Sequence, residues 1–164
     1  MNKEIPTIID LENTKDNQEQ HRLLDMLVPL IEAMPSIDLI KSLNPKQNIL
    51  VRMNTFIWGY LNQLVTLSAK KISIATTNQK VLLSASLSLY SIMFDNNVEL
   101  SRLEYESATQ AVKENKTAKN KFLQGSKACE EDFKQIGVDE PNKLCQLQNL
   151  NWFLATQYKH EKNN

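Results

Sequence analysis

Apolar residues recur three and four positions apart along most of the chain. Leu24, Leu27, Ile31 and Met34 form a first stripe of this kind, the repeat that gathers side chains on one face of an α-helix. Asp16 followed by Glu19 reads as its capping box. Pro29 lacks an amide hydrogen and crowds the preceding turn, so a kink or break is expected there. Pro35 ends the stripe, and Ser36 is placed to cap a short helix through Leu43. Asn44-Pro45-Lys46-Gln47 is the clearest helix start in the chain: Asn44 suits the N-cap, Pro45 the first helical position, and Gln47 the reciprocal capping position. Behind it Ile49, Met53, Phe56, Tyr60, Leu64, Leu67 and Lys71 read as one long stripe. Gly59 inside that stripe suggests close approach of another helix.

The stretch 70–91 carries two periods. Leu83, Ala85, Leu87 and Leu89 alternate with serines, as Ile72 and Ile74 alternate with their neighbours, which fits a hairpin turning at Thr77-Asn78. No Asn-Gly or Asp-Gly marks that turn. Leu82, Ala85, Leu89 and Ile92 equally fit a helix, and Thr76 with Gln79 fits a capping box, so helix is the stronger reading. Its serines would then let neighbouring helices pack closely.

Asp95-Asn96-Asn97 offers a break in this helix, with Asn96 and Glu99 as a new box; the alternative is one helix over about 77–114. Leu100, Leu103, Ser107 and Ala111 supply only a thin seam beyond it, which predicts a half-exposed helix to about 114. Phe122, Cys129, Phe133 and Ile136 mark a helix over 117–136, closed by Gly137 with Val138 folding back. Asp139 and Pro141 start the last one, carried by Leu144, Leu147, Asn151, Leu154 and Tyr158. The resulting expectation is an all-α bundle of about five long helices with short connections, the alternative being an α+β fold with a hairpin near 70–91. Residues 1–15 read as an extended or disordered arm, 16–160 as one helical domain and 161–164 as a frayed tail.

Composition narrows the function classes. At 164 residues the chain has the length of one domain. Lysine plus arginine and aspartate plus glutamate balance at 19 each, which argues against a generic nucleic-acid binder. No apolar run is long enough for a membrane span, the N-terminal stretch carries no apolar core of signal-peptide length, and the expected compartment is the cytoplasm. Two cysteines exclude a disulfide scaffold. Cys129 and Cys145 lie at equal distance from Gly137, so an antiparallel hairpin would set them at the same height; free thiols are the expected state.

Motifs for catalysis are missing. The only histidines are His21 and His160, and neither belongs to a Glu-x-x-His or His-Glu-x-x-His pattern, so no metal is expected. Three scattered glycines cannot build a phosphate cradle, and no cofactor is expected. Two surfaces remain. The segment 113–127 carries a net charge of +4 through Lys113, Lys116, Lys119, Lys121 and Lys127, a phosphate-contact patch if nucleic acid is the partner. Arginine is scarce, which disfavours sequence-specific readout. The aromatic segments are the second: at about 100° per residue, Phe56, Trp58 and Tyr60 cannot all enter one core, nor can both Trp152 and Phe153. Trp58, Tyr60, Trp152 and Tyr158 are therefore the partner-binding candidates. The leading expectation is a non-catalytic bundle acting through a protein partner or as a homo-oligomer: an adaptor, regulator, chaperone or inhibitor. A helical nucleic-acid-associated regulator and an enzyme with an unrecognised carboxylate-based site are the alternatives.

Overall fold

The structure, a computed structural model, describes residues 14–136 and 146–163. Among these it contains eight α-helices and no strand: α1 (Thr14–Glu32), α2 (Ser36–Lys41), α3 (Pro45–Arg52), α4 (Phe56–Lys71), α5 (Gln79–Phe94), α6 (Val98–Glu114), α7 (Lys116–Phe133) and α8 (Gln148–Lys162). The fold is all-α, with six long helices and two short ones, α2 and α3, among the described residues. The expected Gly137–Val138 cap, the Asp139–Pro141 restart, Leu144, Cys145 and most of the N-terminal arm lie outside the described residues.

One predicted cap forms as read, and at other starts a neighbouring asparagine takes the role: Asn78 in place of Thr76, and Asn115 where no cap was expected. Asn44 and Gln47 form the full reciprocal box at the start of α3. Asn115 separates α6 from α7 and accepts from the amides of Thr117 and Ala118. The hairpin alternative near 70–91 is not what forms: Asn78 accepts from the Val81 amide, and α5 runs from there to Phe94. Asp95 then turns the chain in the left-handed region at φ 53°, and Asn97, not Asn96, caps α6.

Several expectations need correction. The stripe 45–71 is two helices, because Asn54 takes the Phe56 amide at 3.0 Å and starts α4 afresh. Ile49 and Met53, expected in the seam, are consequently 44% and 71% exposed. Pro29 does not break α1; it sits on the exposed side with Asp25, whose carbonyl loses its partner where solvent can reach it. Asp16 does not cap α1 but lies within it, and its carboxylate accepts from Asn78 Nδ2 at 2.8 Å. Ser36 caps nothing. Its own amide donates to Asn151 Oδ1 at 3.0 Å, while its buried hydroxyl has no partner. Nor does the helix fray after 160: α8 runs through Lys162, Glu161 is buried, and its carbonyl accepts from Gln47 Nε2 at 3.0 Å.

The centre of the molecule is a parallel pair, α4 and α7. Thr55 donates to the Ala118 carbonyl, Ser126 to the Gly59 carbonyl and Tyr60 to Asp132, so both helices run the same way. Two glycines set their spacing. A Cβ on Gly59 would sit 1.9 Å from the Phe122 carbonyl oxygen, and one on Gly125 2.0 Å from that of Phe56. Only hydrogen fits at either place, which is why Gly59 is worth its cost in helix propensity. On the other side α1 packs along α5, joined by Gln20 Nε2 to Ser84 Oγ. Helix α5 is buried almost all round, and its serines make that burial tolerable. Ser86 and Ser88 return their hydroxyls to carbonyls one turn back, and Ser91 pairs with Ser101 of α6 at 2.7 Å.

Candidate functional site

Central position of α4 decides the fate of the aromatic candidates. It is covered by α5 on one side and α7 on the other, so more than one of its faces is interior. Trp58 is buried, with its ring stacked on Tyr90 at 4.1 Å and edge-on to Tyr105 at 5.2 Å. Tyr60 is buried and donates to Asp132 Oδ2 at 2.6 Å. Both are core residues and neither is available as a surface anchor, which corrects that part of the expectation. Tyr158 is half-buried against the core. Trp152 is different. It stands 70% exposed at the edge of a cleft of about 310 Å³, between α7 and α8, that Phe56, Phe153, Lys127 and Glu131 also line. Phe153 stacks on Phe56 at 4.1 Å, so it is the inward member of the Trp152-Phe153 pair.

All five candidate lysines are exposed. On α7, Lys116, Lys119 and Lys127 fall on the outward face by helical spacing, around Leu123, while Lys121 points to a different side. Lys113 belongs to α6. The structure therefore does not gather the five into one patch, but it does bring Lys127 and Trp152 into the same cleft.

Two carboxylates lie inside hydrogen-bond networks. Asp132 accepts from Tyr60 Oη and from the amides of Asn149 and Leu150. It thereby caps α8 from α7, since Leu147 offers no side-chain cap. Burial pushes its carboxyl above the ordinary range, against the pull of those three donors. The second is Glu104 of α6. It accepts from Tyr90 and pairs with Arg52 at 3.0 Å, and Arg52 also donates to Asn48 at 2.7 Å. Burial, then the bond to Glu104, pushes the Tyr90 hydroxyl far up. Both networks join helices, and each acid is committed to neighbours that hold it in place. Cys129 is buried, and burial together with the Asp132 and Glu130 charges holds its thiol protonated. Among the described residues no group of His, Cys, Asp or Glu is placed to hold a metal ion. No helix there is long and apolar enough to cross a membrane.

A surface that the sequence did not single out lies between α3 and α6. Ile49 of α3 and Met53, the residue that ends it, face Leu100, Ala108 and Ala111 of α6 across a cleft of about 280 Å³, with the Arg52–Glu104 pair in its wall. Leu50 and Leu103, one helical step from this cleft, are 53% and 50% exposed. The thin seam of α6 was the available signal: a helix with so few apolar positions cannot bury all of them. Asp132 had a signal too, since it falls on the Gly125–Cys129 face of α7 rather than among the solvated charges. No protein-family model, no curated protein and no solved structure matches this chain.

Proposed function

We propose that this chain is a non-catalytic helical bundle that works through contact with another protein chain, as an adaptor, regulator, chaperone or inhibitor does. The observation that carries this is the side of the molecule formed by α3 and α6. Ile49, Leu50, Met53, Leu100 and Leu103 make up most of the exposed large apolar side chains among the described residues; Ile49, Met53 and Leu100 line one cleft, with Leu50 next to Ile49 in the chain and Leu103 one turn from Leu100. Grouped apolar surface marks interaction sites, whereas scattered residues do not. Burying a Leu, Ile or Met completely is worth about 1.5–3 kcal/mol, so covering five that are half exposed contributes about 5 kcal/mol. Association costs about 4–15 kcal/mol in lost freedom, so this cluster serves as the centre of a larger contact and not as the whole of one.

The two acids held in hydrogen-bond networks support the same reading. Asp132 and Glu104 are the residues to which carboxylate catalysis would fall, and both are tied to structural donors. The test is a pair of surface variants, Met53→Lys and Leu103→Lys, with helix content checked by circular dichroism. Loss of biological activity with an unchanged spectrum is the expected result; full activity in both variants would refute the reading.

One observation favours a second reading, contact with single-stranded nucleic acid. Trp152 offers a stacking face beside Lys127, the combination that sequence-tolerant binding uses. Binding of an oligonucleotide that weakens steeply with salt and is lost in Trp152→Ala would support it.

A further inference from the structure

We infer that the α3–α6 face binds the same face of a second copy of this chain, as a twofold dimer. This rests on the protein-contact reading above and names its partner. A twofold contact needs a patch that is complementary to itself, with ridge and groove on one surface. The face has both. Met53, on the α3 wall of the cleft, and Leu103, one turn along α6 from Leu100 of the opposite wall, project at 71% and 50% exposure. Turning one copy onto another lays α3 of each over the α6 side of its partner, so that projecting side chains enter the facing cleft.

Charge agrees with this arrangement. Inside the patch the charged groups cancel within one chain: Arg52 is paired with Glu104 in the cleft wall. No uncompensated charge is carried into the contact, where it would meet its own copy. At the edges the signs are opposite on the two helices. Lys46 is exposed on the outer side of α3, one turn from Ile49 and Leu50. Glu99 and Glu106 flank Leu103 on α6, sharing the single Arg102 between them. Placing α3 over the partner's α6 brings lysine towards this acidic excess on both sides of the axis. Such complementarity fixes register and partner choice. The face is on the order of 20 by 20 Å, from a rise of 1.5 Å per residue and helix diameters of about 10 Å. Such a face buries about 800 Å² over both copies, under the range of stable interfaces, so the dimer is a weak one that forms only at high protein concentration.

The experiment measures the mass of the whole chain by sedimentation and light scattering over a wide concentration range. The expected result is a rise from one chain to two with concentration. Met53→Glu and Leu103→Lys should each weaken dimerisation at least tenfold with unchanged helix content. Lys46→Glu should weaken it less, and Glu106→Lys added to Lys46→Glu should restore it. A wild-type chain that keeps the mass of one copy at every concentration overturns the inference, as does a dimer that both apolar-face variants leave intact. If the wild type stays monomeric while Met53→Glu abolishes activity, the partner is a different chain: the dimer falls and the protein-contact reading stands. If the variants change neither mass nor activity, both fall.

Discussion

Replacing Asp132 with alanine removes the one acceptor shared by Tyr60 Oη, the Asn149 amide and the Leu150 amide. Tyr60 and Leu150 are fully buried, so two of these donors lose their partner where water cannot substitute; Asn149 is partly exposed and can be hydrated. A buried donor left without an acceptor costs about 1–3 kcal/mol. Two of them cost about 2–6 kcal/mol, reduced by relief of the burial penalty that raises the Asp132 pKa. About 3 kcal/mol of destabilisation is expected, or roughly 6–12 °C in Tm for a chain of this size. Asp132→Asn keeps a carbonyl for the amides and offers an N–H to the tyrosine oxygen, so its cost should be near 1 kcal/mol or less. Urea unfolding of the three proteins measures both differences. The sign with pH follows from the raised folded pKa. The contribution of proton uptake is fully present below the unfolded pKa of about 3.9 and is lost as pH rises through the folded one. The stability of the wild type relative to Asp132→Asn should therefore fall as pH is raised over that window. Equal costs for the alanine and asparagine variants would refute the capping role, and a pH-independent difference would refute the burial account.

The two glycines and the two tryptophans give further contrasts. Gly59→Ala and Gly125→Ala each drive a Cβ into backbone, not into a movable side chain, so both should cost about 3 kcal/mol despite alanine's better helix propensity, measured by denaturant unfolding. Trp58→Ala should cost about 3–5 kcal/mol and Trp152→Ala within about 1 kcal/mol in thermal melts, because only the first leaves a cavity.

The helices were legible in the sequence because their ends are written in short-range chemistry. Asn44 with Gln47 satisfies amides within three residues, a signal that needs no knowledge of the rest of the chain. Asn78 and Asn115 cap in the same way, although the sequence pattern points to Thr76 in the first case and to no cap in the second. What failed depends on partners far away. Ser36 looks like a cap until Asn151, more than a hundred positions on, takes its amide. Trp58 and Tyr60 looked like surface anchors because one helix face cannot hold them both, and nothing local says that α4 is enclosed by α5 and α7. Trp152 was singled out by the same rule and does stand exposed, since α8 is covered on fewer sides. The apolar surface of α3 and α6 was missed for a related reason. A stripe at helical spacing reads identically whether it faces the core of its own chain or open solvent.

The glycine contact between α4 and α7 also bears on the order of events during synthesis. A parallel pair cannot close as a hairpin; Gly59 must wait for Phe122, and the chain between them has to be made first. At about 5–20 residues per second a ribosome needs about 3–13 s to supply it. Throughout that interval α4 emerges with its Gly59 groove and the aromatic rings around it uncovered. This nascent chain is therefore most vulnerable to misassociation after α4 leaves the exit tunnel and before α7 does. A translational pause between the two would prolong that exposure, whereas one after α7 would not.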